Sequence, residues 1–281
     1  MGSFVPDVHL TRDAVLAAYT NKEHPLGTRG KTPDGRSYAY AKSGEILDVG
    51  IPLTVAAGTG VANATGADLI ADTEDITSTW TKVKCGTTET TAGASAGELD
   101  DGYFVVELST QSYASGQMVR IKTNTSGSSG NTDSALDAFT TITFNPDDRL
   151  TKGCDTDAAI SLIMNEYMNV IEQVGGSTNI PIVGVPNFRV ASGKYFWAQT
   201  WGPCPVLTDG TVVRGDVVKC STATDQGLQA ITLLSSTGSS DTALASTIPL
   251  VSTVKRPDIG WVLGVAGADN DYTLMYLTIR P

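Results

Sequence analysis

The chain has 281 residues, 41% hydrophobic and 17% charged, with a formal net charge of −11 and a pI near 4.5. That length supplies one large or two smaller domains with their own core, so neither disulfide stapling nor a structural metal is needed for folding. The acidic balance excludes a nucleic-acid surface, which needs a basic stripe to displace phosphate counterions.

The charge is unevenly placed. Residues 1–42 hold six basic groups (Arg12, Lys22, Arg29, Lys31, Arg36, Lys42) against four acids, whereas the rest of the chain holds 13 basic and 26 acidic residues. Within residues 1–33, Thr11 is placed to cap a short helix, but Pro6 and the segment Glu23-His-Pro-Leu-Gly-Thr28 break regular structure on either side. This region reads as an extended arm with one helical piece.

From there the sequence predicts strands almost continuously: Ser37–Ala41, Tyr103–Leu108, Met118–Thr123, Thr140–Phe144, Tyr195–Thr200, Thr211–Val218, Leu228–Leu233, Ile259–Val265 and Tyr272–Ile279. In Met118–Thr123, for instance, Val119 and Ile121 alternate with Arg120 and Lys122, the period of a half-buried strand. Turn-rich stretches at 87–97 and 125–134 separate the strands. Over Asp157–Gln173 the periodicity is helical, through Ile160, Ile163, Met164, Tyr167, Met168 and Ile171, yet Asn165-Glu-Tyr-Met-Asn169 fits a turn between two strands equally well.

The segment Gly193-Lys-Tyr-Phe-Trp-Ala-Gln-Thr-Trp-Gly202 holds half of the four tryptophans. Strand alternation places Tyr195, Trp197, Gln199 and Trp201 on one face, and Gly202-Pro203 is expected to end the strand in a turn. The segment Gly35-Arg-Ser-Tyr-Ala-Tyr-Ala-Lys-Ser-Gly44 echoes it in glycine, basic and aromatic positions, which reads either as two similar strands of one barrel flanking an inserted module or as a chance likeness.

Chemistry-bearing patterns are sparse. Both histidines, His9 and His24, fall in the arm, so the body lacks the usual general base and the commonest metal ligand. The acid pairs Asp100-Asp101, Asp147-Asp148, Asp155 with Asp157 and Asp269 with Asp271 stand beside Gly, Asn or Pro, where Asp favours turns. Asp269-Asn-Asp271 is the best of them as a Ca²⁺ ligand set but lacks the glycine and distal glutamate of an EF-hand. No phosphate-cradling glycine loop or nucleophile elbow occurs. The expectation is no catalytic residue, no cofactor and no metal.

Cys85, Cys154, Cys204 and Cys220 form no C-x-x-C pair, so free thiols are expected, with Cys204–Cys220 the one bridge conceivable across a hairpin. No secretory leader pattern stands at the N-terminus, and the longest nearly apolar run, 259–268, is too short to span a bilayer, so no membrane association is expected.

Five segments together resemble the capsid decoration, or cement, proteins of tailed phages: Glu23-His-Pro-Leu-Gly-Thr28 with Asp34-Gly-Arg-Ser-Tyr-Ala-Tyr40, Asn165-Glu-Tyr-Met-Asn-Val-Ile171, Gly193–Pro203, Ile259-Gly-Trp-Val-Leu263 and Tyr272–Ile279. In proteins of this look the Asn-x-Tyr segment is a turn after a strand, so Asp157–Gln173 is read as strand-turn-strand. The resemblance implies an all-β fold of β-barrel or β-sandwich modules and no catalytic residues. Its setting would be the capsid exterior of a virion, with synthesis in the host cytoplasm.

The organisation expected is an arm over 1–33, a main module over 34–60 with 176–281, and an inserted β module over 61–175. In that scheme the arm docks on the major capsid protein lattice, through Leu10, Tyr19, His24, Leu26 and Arg29. The strand carrying Tyr195, Trp197 and Trp201 serves packing and self-association, as a trimer first and a dimer second. A host-surface or glycan-binding fibre module is the competing expectation.

Overall fold

The computed structural model describes residues 7–55, 82–87, 94–108, 115–126, 128–129, 138–145, 147–153, 159–173, 181–221, 227–231, 259–265 and 267–280. Cys154, Asp155, Asp157 and much of the two turn-rich stretches lie outside them. The fold is all-β, and the described residues form no closed barrel.

In chain order the elements begin with Val8–His9 (β1), a helical turn at Arg12–Val15 (α1), Arg29–Lys31 (β2), Ser37–Lys42 (β3) and Leu53–Thr54 (β4). Next come Lys82–Thr87 (β5), Tyr103–Leu108 (β6), Met118–Asn124 (β7), Ser128–Ser129 (β8), Ala138–Phe144 (β9) and Ala159–Ile163 (β10). The last seven are Ile171–Glu172 (β11), Ile182–Gly184 (β12), Tyr195–Leu207 (β13), Val217–Cys220 (β14), Leu228–Ala230 (β15), Gly260–Val262 (β16) and Tyr272–Thr278 (β17).

The chain divides into two compact units, residues 1–55 with 169–281, and residues 56–168. The sequence set the insertion at 61–175. Asn169–Gln173 instead go with the first unit, because β11 pairs with β4 and Val170 bridges Ser43.

In the second unit the sheet order is β10-β6-β7-β9-β5. Alternate residues Phe104 and Val106, Val119 and Ile121, Ile142 and Phe144, and Ile160 and Leu162 bury one face around Leu99. Phe104 and Phe144 meet edge to face at 5.1 Å. Asn124 fixes the adjoining turn, its Oδ1 accepting from Leu99 N at 2.9 Å and its Nδ2 donating to Ser95 O at 2.9 Å.

After β10 the chain turns at once, as the strand-turn-strand reading expected: Tyr167 N donates to Asn165 Oδ1 at 2.9 Å and Met168 N to Asn165 O at 2.9 Å. The helical spacing fails because the Asn165 carboxamide offers the backbone a local turn partner. The two strands flanking this turn belong to different units.

The first unit holds an eight-stranded sheet, β1-β2-β3-β13-β17-β16-β14-β15, and a three-stranded one, β11-β4-β12. The two echoing segments are antiparallel neighbours, with Tyr195 opposite Lys42, Trp197 opposite Tyr40 and Gln199 opposite Tyr38. The inner face of the large sheet buries Cys204, Val206, Val218, Cys220, Leu228, Val262, Met275 and Leu277. Cys204 and Cys220 are both buried and are not bridged to each other.

Three expectations are corrected. The N-terminal segment is not an arm standing off the body: β1 and β2 form the margin of the large sheet, and Leu10, Val15 and Leu26 are buried. The strand expected over Thr211–Val218 forms only at Val217–Cys220. A turn precedes it, with Gly215 at φ +93 and the Asp216 carboxylate accepting from Val213 N at 2.8 Å.

The third correction concerns Gly202-Pro203, which does not end its strand; β13 runs through to Leu207. Gly202 adopts φ +91 within the strand, beside a bulge at Thr200 whose carbonyl accepts from both Ile279 N and Arg280 N.

Candidate functional site

The bulge at Thr200 decides which side chains share a face. Gln199 stands opposite Tyr38, and the next pair along is Trp201 with Ser37, so one extra residue sits in β13. Since side chains alternate, Trp201 moves to the face opposite Tyr195, Trp197 and Gln199. The single aromatic face expected from the sequence is therefore two separate clusters.

On the inner face, Trp197 and Tyr40 are buried and cross at 5.0 Å between ring centroids. Tyr195 stacks on Tyr40 at 5.9 Å, within 7° of parallel, and Lys42 Nζ stands 5.7 Å over the Tyr195 ring. The N-terminal residues complete this cluster. His24 packs edge-on to Tyr40 at 5.3 Å and lies 5.3 Å from Trp197. Tyr19 exchanges backbone hydrogen bonds with Tyr195 at 2.7 and 2.9 Å. A Cβ on Gly30 would run into Leu10 and the Trp197 ring, so β2 can lie this close only with glycine there.

Of the five residues expected to dock, Leu10 and Leu26 are core, and Tyr19 and His24 are partly buried. Only Arg29 is exposed. Burial holds the Tyr40 hydroxyl well above its ordinary value, at about 12, and pushes Tyr19 up as well.

The outer face is different. β13 contributes Trp201, Pro203, Pro205 and Leu207, which stand opposite Thr278, Tyr276, Leu274 and Tyr272 of β17. Trp261 of β16 pairs with Tyr276, and Val217 of β14 pairs with Trp261. The aromatic rings form a row: Trp201 meets Tyr276 edge to face at 5.6 Å, and Trp261 stacks on Tyr276 at 4.6 Å, within 8° of parallel.

Among the described residues little covers this face. Tyr272 is 54% exposed, Leu274 45%, Val217 44% and Trp261 40%. Antiparallel sheets with one wet face normally turn polar residues outward. Here the outward positions of β13 and β17 are Trp, Pro, Pro, Leu, Tyr, Leu, Tyr and Thr. At the other end of β13 the same face is covered, with Gly184 of β12 lying against Ala198.

The backbone of β13 explains the prolines. Beyond Ser37, β3 no longer pairs, and Leu207 N finds Gly50 O at 3.0 Å instead. Pro205 and Pro203 share the direction of Leu207 in the strand, so their missing N–H groups cost no ladder bond. The carbonyls of Trp201 and Pro203 are served by Gln199 Nε2 at 3.1 and 2.9 Å. Asn187 Nδ2 holds that carboxamide in turn, donating to Gln199 Oε1 at 3.0 Å.

The sequence reading passed over Pro203, Pro205, Val217, Trp261, Tyr272, Leu274 and Tyr276 as site residues. The signal was in Tyr272-Thr-Leu-Met-Tyr-Leu-Thr278, where both alternating sets are largely apolar although only one can face this unit's core.

The acid pairs among the described residues sit in turns. Asp101 and Asn270 take φ of 59 and 61, Asp148 Oδ2 accepts from Arg120 N at 2.8 Å, and Asp269 Oδ1 accepts from Gly210 N at 2.8 Å. Among the described residues, no three His, Cys, Asp or Glu side chains converge to hold a metal, and no helix is long and apolar enough to cross a membrane. Comparison of the chain with models of known families, with curated proteins and with solved structures finds no match.

Proposed function

We propose that the protein is a structural component of a phage virion that binds the outer surface of the capsid and stabilises the shell. The observation that supports this reading is the exposed aromatic face of the eight-stranded sheet. It places the chain's most distinctive side chains on a rigid contact surface instead of around a reactive group. A protein that binds the assembled lattice and not its free subunits stabilises the assembled state by mass action.

The attachment side in this reading is the β1–β2 margin. Arg12 and Arg29 are exposed there, and Lys31 is held by Asp7 at 2.9 Å. A short exposed sheet edge also suits strand addition by an extended segment of a partner. The packed N-terminal segment thus replaces the loose arm as the docking element.

The experiment is to add purified protein to heads that lack it and measure co-sedimentation and heat resistance. Saturable binding with a raised disruption temperature is expected, weakened by Arg12→Glu with Arg29→Glu. Heads that bind none of the protein would overturn the reading. Exposure of Trp261 and Tyr272 favours a second reading, glycan recognition at a host surface through ring stacking on sugars. Binding of the isolated protein to a glycan array, lost with Trp261→Ala, would establish that reading in its place.

A further inference from the structure

We infer that the outer face of the eight-stranded sheet is a homotypic interface, occupied by the same face of a second copy of this chain about a two-fold axis. The inference deepens the assembly reading by naming the partner of that surface.

Area is the first argument. Tyr272, Leu274, Val217 and Trp261 are joined by exposed Pro203 and Pro205 and by partly exposed Trp201, Leu207 and Tyr276. Together these expose on the order of 600 Å², the upper end of the largest apolar patch on a typical monomer. Two such faces laid together bury about 1,200 Å², which reaches the range of specific interfaces.

Charge is the second. The chain carries −11 overall, yet the outward strand positions of β13, β17, β16 and β14 include no acid and a single base, Lys219, at the margin. A charged partner would find no counter-charge across this surface. An identical face opposes it with apolar side chains and brings no like charges together at the centre.

Geometry is the third. Past Ser37, where β3 no longer pairs with β13, the two prolines deny β13 donors for adding another strand, so at this part of the sheet the exposed face offers stacking instead. A surface that meets its own copy is self-complementary under a two-fold, whereas a trimer needs a second, different surface. The ring row is also pre-ordered: Trp261 and Tyr276 are stacked, and Tyr272 Oη donates to Val49 O at 3.2 Å, so little side-chain entropy remains to be lost on contact.

Sedimentation of the full-length protein from 0.1 to 50 µM tests this, with Leu274→Lys and Trp261→Lys as variants. The wild type is expected to be dimeric at the upper end, and each variant monomeric with its dissociation constant raised at least 100-fold. Both positions are exposed, so unfolding midpoints within a few degrees of wild type are expected. A readout that needs no variant is acrylamide quenching of tryptophan fluorescence, which should rise as the wild type is diluted through its dissociation constant.

A wild type that stays monomeric throughout, a trimer, or a dimer unaffected by both substitutions each overturns the inference. Heads decorated by a protein that is monomeric in solution would leave the proposed function standing and this interface refuted. A dimer that binds no head would do the reverse.

Discussion

The carboxamide of Gln199 donates to the carbonyl oxygen of Pro203 across the bulge, at 2.9 Å, and so takes over a role that a neighbouring strand fills elsewhere in the sheet. Gln199 is buried, with Trp201 O also on its Nε2 and Asn187 on its Oε1. Gln199→Met keeps the volume but leaves two carbonyls and the Asn187 amide without this partner. A loss of about 2–4 kcal/mol is expected in urea unfolding. Gln199→Glu should cost at least as much, because it buries a charge beside the same carbonyls.

The N-terminal segment should prove integral to the first unit. Leu10 and Leu26 are 3% and 2% exposed. Leu10→Ala and Leu26→Ala are each expected to lower stability by about 2–5 kcal/mol, the cost of a buried cavity. Deleting residues 1–33 should abolish cooperative melting of the unit, where a loose arm would leave it unchanged. Differential scanning calorimetry of the three variants checks this.

How much was legible follows from which signals are local. Alternation identified Tyr103–Leu108 outright and found most of the longer strands, because a buried face writes period two into the chain. The turn at Asn165 came from the resemblance and is carried by a side-chain acceptor two residues back.

The bulge at Thr200 left no local mark. It depends on Ile279 and Arg280, some eighty positions away, donating to one carbonyl, and it alone sends Trp201 to the outer face. The burial of Leu10 and Leu26 was hidden for a related reason: β1 and β2 are too short to show a period, and β3, the strand onto which β2 pairs, comes later in the chain.

Gly30→Ala tests how closely the N-terminal margin packs. A methyl at this position meets the Leu10 side chain and the Trp197 ring, neither of which can withdraw from a filled core. A loss of about 1–3 kcal/mol is expected, as for other overpacked sites. Gly30→Ala combined with Leu10→Ala should cost less than the two separately, since the smaller side chain at 10 makes room. Strict additivity in a double-mutant cycle would show that the crowding lies elsewhere.

Alkaline pH should weaken the fold through three buried groups. Burial holds the hydroxyls of Tyr38 and Tyr40 at about 12 against an ordinary 10.0, and the Cys204 thiol at about 12 against 9.0. Each has its folded value above its unfolded one, so below pH 9 both states hold the proton and the stabilisation is intact. Between pH 9 and 12 the unfolded chain loses these protons first, and stability falls as pH rises, beginning with Cys204. Urea midpoints measured every half unit from pH 8 to 11.5 should decline steadily. The decline should be shallower in Cys204→Ala and in Tyr40→Phe, each compared with its own value at pH 8. Tyr40→Phe also removes the acceptor for Glu23 N at 3.1 Å, so its curve starts lower as well as falling less. Parallel curves for wild type and both variants would place the alkaline loss on other groups.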